Sequence, residues 1–133
     1  FFKQEVIPNL IKGVTVISDR SGYSTEAYQG YAGGIALKII KLLNELATFK
    51  VKPDLAFMID IKAKNGLKKE NNADWFAAKG LEYHKRVNKG YRKIAEQNPG
   101  RCIKIDYITN GEEKMHKEII YHVEQRLFGK IIL

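Results

Sequence analysis

Several features that mark specialised classes of protein are scarce or missing in this sequence. Its 133 residues include one cysteine, Cys102, so an internal disulfide is impossible. The apolar neighbours of Cys102 in Arg-Cys-Ile-Lys-Ile favour a buried, reduced thiol over a catalytic one. No apolar run approaches the length that crosses a bilayer, and no charged start leads into an apolar core with a small-residue cleavage site. These absences predict a protein of the reducing cytoplasm.

The positive charge is concentrated in one part of a chain that is otherwise typical of one globular domain spanning residues 1–133. The sequence is 44% hydrophobic and carries a formal net charge of +8. Residues 62–93 contain ten Lys or Arg but only three acids. A local positive field attracts phosphates, on a nucleotide or along a nucleic acid backbone. A solvated, lysine-rich helix face explains the same pattern, and the composition leaves both interpretations open.

Three short apolar runs, at residues 14–18, 55–61 and 102–105, predict β-strands. They do not alternate strictly between polar and apolar residues, which is typical of strands buried on both faces in a parallel sheet. Long helical segments separate them. The order of elements therefore predicts the α/β class.

Three further segments have the periodicity of amphipathic helices. The wide apolar face of residues 35–48 predicts burial on two sides, against the rest of the chain and against another subunit. A long helix over residues 76–98 ends before Pro99-Gly100 and turns four residues inward: Tyr83, Val87, Tyr91 and Ile94. The last helix, near residues 112–128, is predicted to bury Met115, Ile119, Val123 and Leu127.

Each predicted strand ends on an aspartate, namely Asp19, Asp60 or Asp106. In open parallel sheets, ligands bind in the crevice at the carboxyl ends of the strands, so the three carboxylates are expected at a functional edge. For Asp60 and Asp106, a role in capping the following helix or turn is an equally good interpretation. Asp19 differs because Arg20 follows it directly.

The segment around this Asp-Arg pair resembles a family signature. It reads Val16-Ile-Ser-Asp19-Arg20-Ser-Gly-Tyr-Ser24-Thr25-Glu-Ala27-Tyr28-Gln29-Gly30, and it is similar to the thymidylate kinase motif of Asp-Arg followed by Ser-x-x-Ala-Tyr-Gln. Other family-like segments follow in order: Lys52-Pro53-Asp54-Leu55, Gly66-Leu67-Lys68, Val87-Asn-Lys-Gly90-Tyr91 and Ile103-Lys-Ile-Asp106. The resemblance covers essentially the whole chain. It implies a P-loop-NTPase-like α/β fold, with helices on both faces of a parallel sheet and three strands in this chain.

The resemblance also implies roles for individual residues. Asp19 would organise the magnesium ion and its water shell without binding the metal directly, and Arg20 would hold the monophosphate of the acceptor. A planar, permanently charged guanidinium suits a phosphate dianion. Thymine would be read by a polar set on the helix after this pair: Ser24, Thr25 and Gln29. Tyr28 would lie against the sugar and disfavour a 2′-hydroxyl, although a core aromatic is the alternative.

Residues 69–76 resemble the lid that closes over the donor nucleotide, which excludes water and brings cations to the transferring phosphoryl group. The implied ATP-side residues are Lys68, Lys69, Asp74 and Tyr107, the last near adenine. The implied activity is ATP-dependent, magnesium-dependent phosphorylation of dTMP to dTDP. Family members are commonly homodimers, and the apolar helix around residues 35–47 is compatible with such a contact.

The sequence departs from the family most clearly in lacking Gly-x-x-x-x-Gly-Lys-Ser/Thr, the loop that cradles nucleotide phosphates. Because phosphoryl transfer depends on positioning and charge neutralisation, the chain alone is expected to be inactive. The first helix starts without a cap or an initiator methionine, which predicts an N-terminally truncated protein. Smaller departures are Ser21, Gly33 and Trp75.

These departures support an alternative hypothesis, a degenerate relative that binds a nucleotide or a protein without catalysis. A nucleic-acid-binding module is disfavoured. Its nearby aromatic residues lack the regular exposed spacing of a stacking platform.

Overall fold

The fold is taken from a computed structural model, which describes residues 1–62, 80–127 and 129. The predicted lid at residues 69–76, with Lys68, Lys69 and Asp74, lies outside the described residues. So does Trp75. No helix in the described ranges is long and apolar enough to span a membrane.

The chain begins with a π-helical turn, π1 (Phe2–Val6), which continues directly as helix α1 (Ile7–Ile11). This pair confirms the helix predicted at the start of the sequence. Val6 is buried, but Ile11 is 80% exposed. Gly13 then adopts a positive φ of 74°, a conformation that glycine reaches without steric cost, and the helical direction ends there.

The strand predicted at residues 14–18 is wrong for the described chain. The segment has no regular secondary structure, and Ile17 is 92% exposed. A strand is defined by hydrogen bonds to a neighbouring strand, and the two strands of the described sheet pair with each other. Apolar composition alone therefore does not form a strand here.

Two strands, β1 (Ala56–Asp60) and β2 (Cys102–Asp106), form a parallel pair in the described part of the chain. Their register places Ala56 opposite Cys102 and Asp60 opposite Asp106. Both strands were predicted within one residue of these bounds. The parallel α/β prediction is confirmed, with two strands in the described residues where the sequence predicted three.

The long predicted helix is present as α4 (Gly80–Gln97), which packs on one face of the sheet. It turns Tyr83, Val87 and Ile94 inward as predicted, and these join a core with Met58 and Cys102. Cys102 is a free, buried thiol, as the sequence predicted. Burial raises its pKa, and a hydrogen bond with Tyr23 opposes that shift.

Helix α5 (Glu112–Leu127) packs against β2, and its His122 ring lies 6.4 Å from the ring of Phe57 in β1. Phe57 and Met58 are adjacent in the strand and so point to opposite faces. Helices therefore cover both faces. Of the predicted inward residues of α5, Met115 is buried and Ile119 and Val123 are half-buried, whereas Leu127 is 42% exposed. The prediction for Leu127 is wrong because the last turn of α5 lies beside the loop before β2, where Arg126 donates a hydrogen bond to the Gly100 carbonyl oxygen.

The segment that follows Arg20 is helical throughout, as α2 (Gly22–Thr25) and a longer π-helical part, π2 (Glu26–Ala32). The most extensive contact between helices in the described chain joins π2 to α4. A Cβ atom built on Gly90 of α4 would lie 2.7 Å from the Cβ of Tyr31. Only glycine at position 90 allows the two helices to approach this closely.

Helix α3 (Leu37–Ala47) corresponds to the predicted amphipathic helix. Ile40 is its buried residue, and four apolar side chains are more than half exposed: Ile39, Leu42, Leu43 and Leu46. The chain therefore covers one narrow side of α3. The wide apolar face predicted for this helix is present, and its burial against a second subunit stays a prediction.

Candidate functional site

Arg20 occupies an unusual backbone conformation directly before α2. Its φ of 66° lies in the left-handed region, which costs a residue with a Cβ roughly 1 kcal/mol. The hydroxyl of Ser18 donates a hydrogen bond of 2.8 Å to the Arg20 carbonyl oxygen and supports this turn. Backbone strain of this kind clusters at active sites and ligand clamps, which makes Arg20 a functional candidate.

Ser21, one of the departures from the family pattern, has a clear local role as the N-cap of α2. Its backbone is extended, and its hydroxyl accepts a hydrogen bond of 3.3 Å from the Tyr23 amide. Serine is among the residues preferred at this position because it satisfies an amide that the helix leaves unpaired. Ser21 thus starts the helix that carries the predicted site residues.

Tyr28 is the centre of the arrangement. The guanidinium carbon of Arg20 lies 5.6 Å from the centroid of the Tyr28 ring, within the range of a cation–π contact. Two tyrosine rings of α4 pack on the same ring, Tyr83 at 6.4 Å and Tyr91 at 6.3 Å between centroids. Tyr28 is thus half-buried, and its ring also contacts Arg20, the residue predicted to bind the phosphate.

The remaining predicted thymine-binding residues differ in their surroundings. The Ser24 hydroxyl accepts a hydrogen bond of 2.9 Å from the Tyr91 hydroxyl, so Ser24 is tied to α4. Thr25 is half-buried and Gln29 is exposed. The structure therefore places Arg20 against Tyr28 and ties Tyr28 and Ser24 to α4. It leaves Gln29 and Asp19 exposed to solvent.

A second group of charged side chains lies at the carboxyl ends of the strands. Arg92 of α4 forms two hydrogen bonds of 2.9 Å with the Asp60 carboxylate, through Nε and a terminal nitrogen. Lys104 lies 3.7 Å from Asp60 and also contacts Asp106. The hydrogen bond from Arg92 is the main reason that the pKa of Asp60 is lowered, and partial burial opposes the shift.

The Asp60 carboxylate thus pairs with Arg92 of α4, a role that neither of the two sequence interpretations included. Tyr107 follows β2 and is half-buried, and its amide donates a hydrogen bond of 3.1 Å to the Asp60 carbonyl oxygen. Tyr107, which was predicted to lie near adenine, thus lies at the charged edge of the sheet. Its contact with adenine stays a prediction.

Sequence reasoning missed the contributions of Tyr83, Tyr91 and Arg92 to this region. Both tyrosines were placed on the inward face of α4, and a tyrosine at such a position needs a hydrogen-bond partner for its hydroxyl. That requirement was the available signal. The partners themselves, 67 residues away for Tyr91 and 32 for Arg92, are fixed only by the fold.

The resemblance implies a divalent metal ion, which needs side chains able to hold it. Within residues 1–62, 80–127 and 129, no three His, Cys, Asp or Glu side chains are grouped so that they could hold a metal ion. Asp19 is an exposed carboxylate, and Mg²⁺ typically keeps several of its waters. This fits the predicted contact of Asp19 with the metal through water.

The fold and these charged groups define an α/β protein of the class that binds ligands at the carboxyl edge of a parallel sheet. The family model for thymidylate kinase matches residues 1–119. The chain belongs to the thymidylate kinase family.

Individual relatives agree with this assignment. The chain is 42% identical to the thymidylate kinase of Sulfurihydrogenibium sp., over 91% of this chain and 59% of that protein. It is 36% identical to the thymidylate kinase of Caldanaerobacter subterraneus, over 96% of this chain and 62% of that protein. A crystal structure of thymidylate kinase from Ehrlichia chaffeensis superposes with a TM-score of 0.73 at 33% identity, covering 92% of this chain and 58% of that one. The chain thus spans about three-fifths of the length of the curated relatives it matches.

Proposed function

We propose that this chain forms the acceptor-binding part of an enzyme that transfers a phosphoryl group from ATP to dTMP. The observation that carries the proposal is the placement of Arg20, whose guanidinium lies 5.6 Å from the Tyr28 ring centroid beside the helix that bears Ser24 and Gln29. The aromatic ring holds the cation at one edge of the helix without neutralising it. The guanidinium keeps its donors for a phosphate dianion.

The base and sugar of dTMP would lie along α2 and π2. The half-buried Thr25 and the exposed Gln29 would offer a hydroxyl and an amide to the polar edge of thymine. The Tyr28 ring would contact the deoxyribose and leave no room for a 2′-hydroxyl. Contacts of this kind orient the acceptor phosphate toward the donor.

In the reaction, a phosphate oxygen of dTMP attacks the γ-phosphorus of ATP while the bond from that phosphorus to the β,γ-bridging oxygen breaks, which gives dTDP and ADP. A magnesium ion, when bound, neutralises charge on the phosphates. Asp19 would orient one of its waters, and Arg20 would hold the acceptor phosphate. On the donor side we assign Lys68, Lys69 and Asp74 to the lid and Tyr107 to the adenine contact.

The exposed apolar face of α3 supports a homodimer contact as part of this proposal. Leu42, Leu43 and Leu46 are each more than half exposed on one helix. Large contiguous apolar surfaces on soluble proteins mark interaction sites. A second copy of the chain is the occupant that we propose.

Gly33 favours a second candidate, a family member that binds dTMP without transferring phosphate. The family resemblance implies arginine at this position in many members. Here a Cβ atom at Gly33 would lie 2.7 Å from the Gln29 carbonyl oxygen, so the backbone at this point has no room for a side chain. Binding of dTMP by the complete gene product without ATP-dependent turnover would establish this candidate.

Calorimetric titration of the complete gene product with dTMP, dUMP and dGMP tests the proposal. We expect dTMP to bind most tightly. We also expect Arg20→Ala to weaken dTMP binding by about 30-fold or more, since it removes a charge-assisted contact, with ATP affinity nearly unchanged. Equal loss of both affinities would contradict the acceptor role of Arg20.

The sugar contact has a separate test. Tyr28→Ala is expected to relax discrimination against the ribonucleotide, measured as the ratio of dissociation constants for dTMP and ribothymidine monophosphate. An unchanged ratio would rule out the proposed sugar contact while leaving the phosphate contact untouched.

A further inference from the structure

Two tyrosines of α4 hold the site-bearing helix by its backbone and by one of its side chains. The Tyr83 hydroxyl donates a hydrogen bond of 2.9 Å to the Tyr28 carbonyl oxygen. The Tyr91 hydroxyl donates one of 2.9 Å to the Ser24 hydroxyl. Ser24 and Tyr28 are four residues apart, so the hydrogen bonds from α4 reach two successive turns on the same face of the helix.

The same tyrosine rings fix the platform under Arg20. Tyr91 meets the Tyr28 ring edge-on, at an interplanar angle of 83° and 6.3 Å between centroids. Such aromatic pairs have a preferred geometry and resist sliding. Because the Arg20 guanidinium packs over the Tyr28 ring, a displacement of that ring displaces the cation as well.

A phenol hydroxyl is a stronger donor than an alkyl hydroxyl, so in this pair Tyr91 donates and Ser24 accepts. A serine hydroxyl has one proton to donate and two lone pairs. When Tyr91 donates to one lone pair, the Ser24 proton is left to point toward another acceptor. Thymine presents carbonyl oxygens, which are acceptors, on its polar edge.

We infer that Tyr91 is a positioning residue of the acceptor site. It acts through Ser24, whose proton it directs toward the ligand, and through Tyr28, whose ring carries Arg20. Tyr91 itself does not touch the nucleotide. This inference rests on the proposed function, since it assumes that dTMP lies along α2 and π2.

The test is a double-mutant cycle on dTMP binding in the complete gene product, with Tyr91→Phe, Ser24→Ala and the double variant. Each single change removes the Tyr91–Ser24 hydrogen bond and leaves the Tyr91 ring in place, and Ser24→Ala also removes the proposed contact of the Ser24 hydroxyl with thymine. We expect each to weaken dTMP binding about fivefold, which is the scale of one net hydrogen bond. The double variant should be no weaker than Ser24→Ala. ATP affinity should be unchanged, and a merely structural defect would not produce that separation.

Tyr121→Phe is the matched control, because Tyr121 is 58% exposed on α5 and its ring contacts His122. It should bind dTMP as the wild type does. If the wild type binds dTMP and Tyr91→Phe binds it equally tightly, this inference alone is overturned. Additive losses of dTMP affinity in the double variant would overturn it as well. A wild type that does not bind dTMP would overturn the proposed function and this inference with it.

Discussion

Two regions of the molecule differ sharply in how well the described chain covers them. Between π2, α4 and the sheet, Ala27, Val87 and Ile94 are 0%, 2% and 1% exposed. In the N-terminal region, Ile11 and Ile17 are 80% and 92% exposed although they are equally apolar. The residues of the Asp-Arg signature stand at the boundary between the two, with their helix on the packed side. Site geometry is therefore set by α4.

The difference shows which interactions hold the proposed site together. A fully buried aliphatic side chain contributes about 1.5–3 kcal/mol relative to an exposed one, whereas an exposed side chain contributes little. Substitutions at the contact of π2 with α4 should thus be costly, and those in residues 14–18 should be mild. The following predictions test that contrast, from the largest expected effect to the smallest.

Gly90→Val should give the largest loss of stability, about 2–3 kcal/mol, because its Cβ would lie 2.7 Å from the Tyr31 Cβ. Chemical denaturation of both proteins measures the change. Gly100→Val is the control, since a Cβ at Gly100 meets nothing within 4 Å, and it should change stability by no more than about 0.5 kcal/mol. Equal losses for the two variants would show that the helix contact is not tight.

Asp60→Asn should cost about 1 kcal/mol at neutral pH, because it leaves the paired Arg92 guanidinium without its carboxylate. The pKa of Asp60 is lowered in the folded state, so ionisation of Asp60 stabilises the fold at all pH values above its ordinary pKa of about 4. That contribution is lost as the pH falls through the lowered value. Unfolding curves of both proteins from pH 7 to pH 2 should converge at the acidic end, and a constant difference would argue against the ion pair.

Glu26→Gln should stabilise the protein slightly at neutral pH, by about 0.5–1 kcal/mol. Burial raises the pKa of Glu26, and Lys41 at 3.9 Å only partly opposes that shift. An acid with a raised pKa in the folded state destabilises the fold once the pH exceeds its ordinary value of about 4.3. The advantage of the glutamine variant should therefore vanish below that pH. A destabilised variant at pH 7 would mean that the Lys41 contact outweighs burial.

Ile17→Ser should have the smallest effect on the 133-residue chain, within about 0.5 kcal/mol, because Ile17 is 92% exposed. Thermal unfolding of the two chains measures it. The same substitution in the complete gene product asks whether further residues cover this segment. A loss above about 1 kcal/mol in the 133-residue chain would contradict the described exposure of residues 14–18.

Local pattern predicted those elements whose partners lie within the chain. The inward face of α4 was read correctly because Tyr83, Val87 and Ile94 repeat at helical spacing and the sheet that they cover is present. The strand at residues 14–18 was predicted from apolar composition, but pairing depends on a neighbour that composition does not reveal. Leu127 was read as buried for the same reason, since helical periodicity does not show what lies beside the last turn of α5.

The candidate site likewise has residues that the sequence predicted and contacts that it did not. The resemblance supplied Arg20, Ser24 and Tyr28 as a set, and the structure places them around one aromatic cluster. The contacts that hold this cluster, from Tyr91 and Tyr83, join residues more than fifty positions apart along the chain. No periodicity or spacing in one sequence encodes which distant hydroxyl meets which acceptor.

The central claim is that Arg20 binds the phosphate of the acceptor, and comparison of dTMP with thymidine tests it most directly. Titration calorimetry would give both affinities for the wild type and for Arg20→Ala. We predict that the wild type binds dTMP at least about 30-fold more tightly than thymidine and that the variant loses most of this preference while binding thymidine as before. A variant that keeps the full preference for dTMP would contradict the account.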